Sequence, residues 1–170
     1  MTTKKITLKL ASAVFALSLL SFSGCKKDKN NDSSTVEPTP TPAPTKTEQL
    51  TGKNWKLTSW TSDPAIDWGG GAFVTDVYAQ LDACQKDDIF IYNTNGTYLE
   101  DYKVQCPGDP ASSTGTWVFN STQTIITTDA GTANSSDFTL LQLDGSYLKG
   151  TIVYSTGSLN YTFTITYTRQ

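Results

Sequence analysis

Tyr161, Phe163, Ile165 and Tyr167 alternate with Thr162, Thr164, Thr166 and Thr168, and this period of two constrains the fold more than any other feature of the chain. A strand sends successive side chains to opposite faces, so the large apolar groups share one face and the threonines the other. A helix, at about 3.6 residues per turn, would scatter them around its axis. Comparable runs occupy Trp55 to Trp60, Ile89 to Tyr92, Thr97 to Val104, Gly115 to Phe119, Gln123 to Thr128, Phe138 to Leu143 and Tyr147 to Tyr154, which makes eight predicted strands. Asn93-Thr94-Asn95-Gly96, Asn120-Ser121-Thr122, Asp144-Gly145-Ser146 and Ser155-Thr156-Gly157-Ser158 separate neighbouring runs. These residues tolerate positive φ or bond back to their own backbone, which predicts hairpins. Hairpins in series predict an all-β domain, an antiparallel eight-stranded up-and-down β-barrel; a sandwich is the alternative that the same spacing permits.

The alternation lapses between Thr61 and Lys86. Gly69-Gly70-Gly71 reads as a flexible loop, and Val74, Val77, Tyr78 and Leu81 at helical spacing predict a short helix before the second strand, capping one end of the barrel. Cys84 would lie near the exit of that helix.

The N-terminus has a different character. Lys4, Lys5 and Lys9 precede an apolar run from Leu10 to Phe22, too short for the roughly 20 residues a membrane-spanning helix needs. Phe22-Ser23-Gly24-Cys25 closes it. Positive charge, a short apolar run and small residues before a lone cysteine predict a lipoprotein signal peptide over 1–24, with Cys25 lipidated after cleavage. Leucine is the usual residue where Phe22 stands, so the resemblance to lipobox-type signals rests on Ser23, Gly24 and Cys25. Lys26, rather than an aspartate, follows Cys25, which favours an outer-membrane anchor, on the periplasmic face or at the cell surface. Residues 25–47 then run from charged and polar to a Thr-Pro repeat with Pro38, Pro40, Pro42 and Pro44. Such a stretch has too little apolar surface to fold alone and predicts an extended, disordered linker. Residues 48–170 form the remaining unit, of a size for one core.

Charge and missing residue types exclude several functions. The formal charge of −3 becomes more negative once Lys4, Lys5 and Lys9 leave, which argues against nucleic acid and against electrostatic attachment to an anionic surface. The chain has no histidine, so the commonest general base is absent and only carboxylates remain as catalytic groups. Asp82, Asp87 and Asp88, with Glu100 and Asp101 on the next hairpin, would suit glycoside hydrolysis as a pair across a cleft or calcium as an oxygen cluster. Solvated loop carboxylates are the commoner case, and no catalytic residue, metal or cofactor is expected. Of the three cysteines, Cys25 is assigned to lipid, leaving Cys84 and Cys106 to pair in an oxidising compartment. Two thiolates without histidine do not complete a zinc site.

Several ordered segments together suggest a family. Leu50-Thr51-Gly52-Lys53-Asn54-Trp55-Lys56-Leu57-Thr58, then Cys84-Gln85-Lys86-Asp87-Asp88 leading into Phe90, Asn95-Gly96-Thr97-Tyr98, Cys106, and Gly115-Thr116-Trp117-Val118-Phe119 resemble the lipocalin-like domains of lipoproteins common in Bacteroidetes. The similarity spans residues 48–169. It implies a small antiparallel barrel, a disulfide between the two matching cysteines and usually no known ligand. True lipocalins place one residue between the glycine and the tryptophan of the first strand, whereas Lys53 and Asn54 separate Gly52 from Trp55 here. In lipocalins an arginine packs over that tryptophan, and Arg169 is the only arginine of this chain.

A barrel of about eight strands is just wide enough to be filled by side chains or to hold one small molecule. Trp68, beside the three glycines, is the leading candidate for ligand contact, exposed at a barrel mouth, followed by Trp55, Trp117, Tyr161 and Phe163; for Trp55 and Trp117, on strands with clear alternation, a place in the core is favoured over ligand contact. The expected function is a cell-envelope lipoprotein, monomeric and not an enzyme, that binds a small apolar or amphipathic ligand. The alternative is an envelope interaction module with a filled barrel, whose loops meet a protein or glycan.

Overall fold

In the computed structural model, which describes residues 42–170, α1 (Lys46–Leu50) opens the fold under a capping box. The Thr45 hydroxyl accepts from the Glu48 amide at 3.2 Å, and the Glu48 carboxylate accepts from the Thr45 amide at 2.7 Å. This satisfies two N–H groups that a helix start leaves unpaired. The fold therefore begins two residues ahead of the predicted boundary at residue 48. The predicted signal over 1–24, Cys25 and the linker as far as residue 41 lie outside the described residues.

The strands are β1 (Trp55–Asp67), β2 (Phe73–Asp76), β3 (Ile89–Tyr92), β4 (Thr97–Asp101), β5 (Ser112–Phe119), β6 (Ile125–Thr128), β7 (Ser136–Leu143), β8 (Tyr147–Ser155) and β9 (Asn160–Arg169), with α2 (Ala83–Lys86) between β2 and β3. They form one antiparallel sheet in the order β2-β1-β3-β4-β5-β6-β7-β8-β9, closed by a further pairing of β1 with β9. Closure is extensive, running from Trp55 opposite Arg169 to Asp63 opposite Thr162. The eight strands β1 and β3 to β9 thus make an up-and-down barrel without free edges, and β2 hangs on β1 as an extra strand.

Because the order is antiparallel throughout, alternate connections fall at opposite ends. The turns after β3, β5 and β7 share one end with α1, and the connections after β1, β4, β6 and β8 surround the other. The α1 end is closed by a cluster of Leu50, Trp55, Tyr92, Trp117, Ile126 and Leu148. Both indoles there satisfy their N–H groups on backbone carbonyls, Trp55 on Leu50 at 2.8 Å and Trp117 on Asn93 at 3.0 Å. A second cluster, Leu57, Leu81 and Ile165, lies further along the barrel. Gly115 and Gly150 are used for close approach: a Cβ on Gly115 would collide with the Tyr98 ring and the Asp129 carboxylate, and one on Gly150 with the Phe138 ring and the Thr139 carbonyl.

The segment from Val74 to Leu81 is not the predicted helix. Gly69, Gly70 and Gly71 adopt φ of 127°, 64° and 83°, values that glycine alone takes without strain, and reverse the chain so that Phe73–Asp76 pairs back on β1. A 3₁₀ turn over Tyr78–Gln80 follows, and Val77 is fully buried with its amide donating to the Trp60 carbonyl at 2.9 Å. Cys84 lies inside α2 rather than at the exit of a longer helix. β1 runs beyond the predicted Trp60 to Asp67, pairing with β9 as far as Asp63 and with β2 at Thr61 and again from Ile66. Elsewhere, β4 stops at Asp101 short of Val104, β5 starts at Ser112 ahead of Gly115, and β6 starts at Ile125 because Gln123, with φ 53°, belongs to the turn. Arg169 and Trp55 are cross-strand partners. Leu50 of α1 packs with the indole while Arg169 is exposed, so the arginine-on-tryptophan contact of lipocalins is not formed; the cation–π contact found among the described residues is Lys86 over Tyr78 at 5.2 Å.

Candidate functional site

β1 changes the side its side chains face. Its pairing with β9 slips between Leu57 and Ser59, a bulge that inserts one residue and flips the parity of the rest of the strand. Trp55 and Leu57 point inward before it; Trp60 and the buried Ser62 do so after it. Trp60 meets Phe163 of β9 edge to face, with ring centroids 5.6 Å apart.

Beyond the closed end the barrel is hollow. A cavity of about 360 Å³ has an apolar side made by Leu57, Trp60, Ile152, Phe163 and Ile165, and a polar side carrying Gln85, Asp88, Glu100, Tyr102 and Asp109. An inner chamber of about 150 Å³ shares Phe90, Ile152 and Tyr167 with it and adds Tyr92, Tyr98 and Phe138. The inner chamber rests on the closed-end core through Tyr92, whose ring meets Trp117 edge to face at 5.7 Å.

Two mouth segments bring the polar side together. Gln85 and Asp88 come from α2 and the residues after it, and Tyr102 and Asp109 from the connection between β4 and β5. The disulfide between Cys84 and Cys106, with Cα atoms 5.4 Å apart, ties these segments. Glu100 arrives by register: it lies opposite Phe90 and shares its face of β4 with Tyr98 and Tyr102.

Electrostatically the polar side is strained toward neutral forms. Burial, then the like charges of Glu100, Asp87, Asp109 and Asp101, push Asp88 up to about 6. Burial also raises Glu100, opposed by the Tyr102 hydroxyl, which donates to its carboxylate at 3.1 Å. One carboxylate oxygen each of Asp87 and Asp88, and the indole N–H of Trp60, are buried without a hydrogen-bond partner. The ion pair among the described residues joins Lys103 to Asp101 and leaves Asp88, Glu100 and Asp109 uncompensated. Burial raises Tyr92 and Tyr167 well above the ordinary phenol range. Among the described residues, no three histidine, cysteine or carboxylate groups converge on a metal position.

Of the five residues expected at a ligand site, the structure puts Phe163 in the cavity wall. Tyr161 shares its face one step toward the open end. Trp55 and Trp117 are closed-end core, the place favoured for them by the alternation of their strands, 0% and 8% exposed, and face neither chamber. Trp68 sits on the turn between β1 and β2, at the open end and 44% exposed, but does not line the cavity. Trp60, Asp88, Glu100 and Tyr167 take the places for which those three were candidates.

A family model described as "Domain of unknown function (DUF5004)" matches residues 26–165. None of the curated proteins matches the chain. Among solved structures the chain is similar to a bovine odorant binding protein deswapped triple mutant, at 12% identity and a TM-score of 0.42 over 72% of this chain and 74% of that one. It is also similar to bovine odorant binding protein in complex with a selenium-containing odorant, at 12% identity and a TM-score of 0.44 over 78% and 77% of the two chains.

Proposed function

The chain belongs to the family described as a domain of unknown function (DUF5004), and from that premise we propose that it is a cell-envelope lipoprotein whose barrel binds a small apolar or amphipathic molecule. The observation that carries the binding role is the hollow interior: about 360 Å³ walled by Trp60, Phe163, Ile165 and Ile152. Small-molecule sites are concave, mostly apolar and furnished with a few convergent polar groups. A filled barrel serving only its outer loops would have placed side chains in that volume. We read the site as binding rather than catalysis, since most of its wall is apolar and its convergent polar groups are few.

The test uses N-phenyl-1-naphthylamine, a neutral fluorescent apolar probe, with purified protein. Saturable binding is expected, and at about 100 times its Kd the probe adds about 2.7 kcal/mol of stability, raising the melting temperature by about 10 °C. Ile152→Trp, which fills the space where both chambers meet, should abolish the binding. Probe binding unaffected by that substitution would place the site elsewhere and sink the reading.

Ser23-Gly24-Cys25 after a basic, short apolar segment supports the envelope assignment. In cells, Cys25→Ser is expected to move the protein from the membrane fraction, which detergent is needed to dissolve, to the soluble fraction. A variant that stays with the membranes would remove the lipid anchor from the proposal.

A further inference from the structure

We propose that the molecule held by the barrel is an organic cation, a protonated amine on an apolar body, with its head beside Asp88 and Glu100 and its body in the aromatic inner chamber. This rests on the reading of the cavity as a ligand site and narrows it to one chemical class.

Two observations converge. The cavity's polar side carries Asp88, Glu100 and Asp109, and the ion pair in the neighbourhood leaves all three without a cationic partner. One oxygen of Asp88 is buried with no hydrogen bond at all. An anion entering here would meet like charge in a low-dielectric space, and a neutral body would strip water from the carboxylates and give nothing back. An ammonium offsets both penalties and makes charge-assisted hydrogen bonds.

The second observation is the chamber behind the carboxylates. Phe90, Tyr92, Tyr98, Phe138 and Tyr167 present aromatic surface to it, which receives an apolar body and is compatible with a cation nearby through ring quadrupoles. The donors do not converge as a metal ion requires, which directs the site to an extended organic cation.

The experiment compares three probes of one shape by calorimetry at pH 7.5: 2-(1-naphthyl)ethylamine, 2-(1-naphthyl)ethanol and 3-(1-naphthyl)propanoate. The amine is expected to bind at least about tenfold more tightly than the alcohol, in line with hydrogen bonds to charged groups, and the acid most weakly. In the Asp88→Asn, Glu100→Gln double variant, checked for folding by circular dichroism, the ratio of amine to alcohol affinity should fall to near one. Alcohol and amine of equal affinity in the wild-type protein, or an acid that outbinds both, would overturn the proposal while leaving the cavity reading in place. A preference for amine that survives the double variant would also overturn it. Failure of all three probes to bind would overturn the cavity reading and this inference together.

Discussion

Trp55→Ala is expected to cost about 3–5 kcal/mol of folding stability, as large-to-small changes of buried aromatics do. Total stabilities of domains are about 5–15 kcal/mol, so the variant keeps at most a thin margin. The side chain is fully buried, in one cluster with Leu50, Trp117 and Leu148. It also stands at the seam of the barrel, where β1 pairs with β3 through Phe90 and with β9 through Arg169. Removing the indole empties the closed end and strands the Leu50 carbonyl, which accepts the indole N–H at 2.8 Å. A buried acceptor left unpaired costs about 1–3 kcal/mol by itself. Trp55→Phe, which retains most of the volume, should isolate this second part and cost less than the alanine variant. Urea denaturation followed by circular dichroism gives the midpoint and slope. Trp68→Ala is the control: that side chain is 44% exposed on the β1–β2 turn, and exposed substitutions fall within about 0.5 kcal/mol of zero. Equal midpoints for the two alanine variants would contradict the description of the closed end.

The same contrast shows what the sequence could and could not disclose. The Tyr161–Tyr167 alternation fixes which β9 side chains face inward, and the Asn- and Gly-rich turns fix the antiparallel order, so the barrel was legible. Period-two patterning does not say how far along the barrel axis a residue sits. Trp55 and Trp117 are inward, as expected, but at the closed end, where the core is solid; Phe163 is inward at the level of the cavity. Height along the axis is set by register, which depends on strand pairing across the chain and not on local composition. Trp60 was hidden by the bulge after Leu57, since simple alternation from Trp55 gives the inward place to Ser59. The segment over Val74–Leu81 was ambiguous because a short strand and a 3₁₀ turn can mimic helical spacing, and the choice was made by pairing with β1. Pro64 masked the length of β1, because proline usually marks a strand's edge or end, and here it falls in the irregularity between Thr61 and Ile66 that interrupts the pairing of β1 with β2, one residue past the last partner on β9. Glu100 did carry a usable signal. It lies between Tyr98 and Tyr102 at steps of two, on the inward face of β4, and reading it as a solvated loop acid ignored that parity.

Cys84→Ala with Cys106→Ala is expected to lower stability by about 3 kcal/mol through a physically different route. The cysteines are 22 residues apart in sequence, and cross-linking them removes conformations from the unfolded chain. Both are only half-buried, so little packing is lost with the sulfurs. The single variants should therefore cost as much as the double, because either one opens the link. Excess reductant should reproduce the loss in the wild-type protein and leave the double variant unchanged. A second consequence separates this from a general weakening of the core. The bridge ties α2 to the β4–β5 connection, the two segments that carry Gln85, Asp88, Tyr102 and Asp109 to the cavity. Opening it lets water back to Asp88 and frees these groups to separate, relieving the burial and, second to it, the crowding of like charge that push Asp88 up to about 6. Asp88 in the double variant should then titrate closer to the ordinary aspartate range, as read by carboxyl NMR at temperatures where the barrel remains folded. A melting temperature indifferent to reductant, with the Asp88 titration unmoved, would show that the mouth is held by its packing alone and that the disulfide contributes nothing to its geometry.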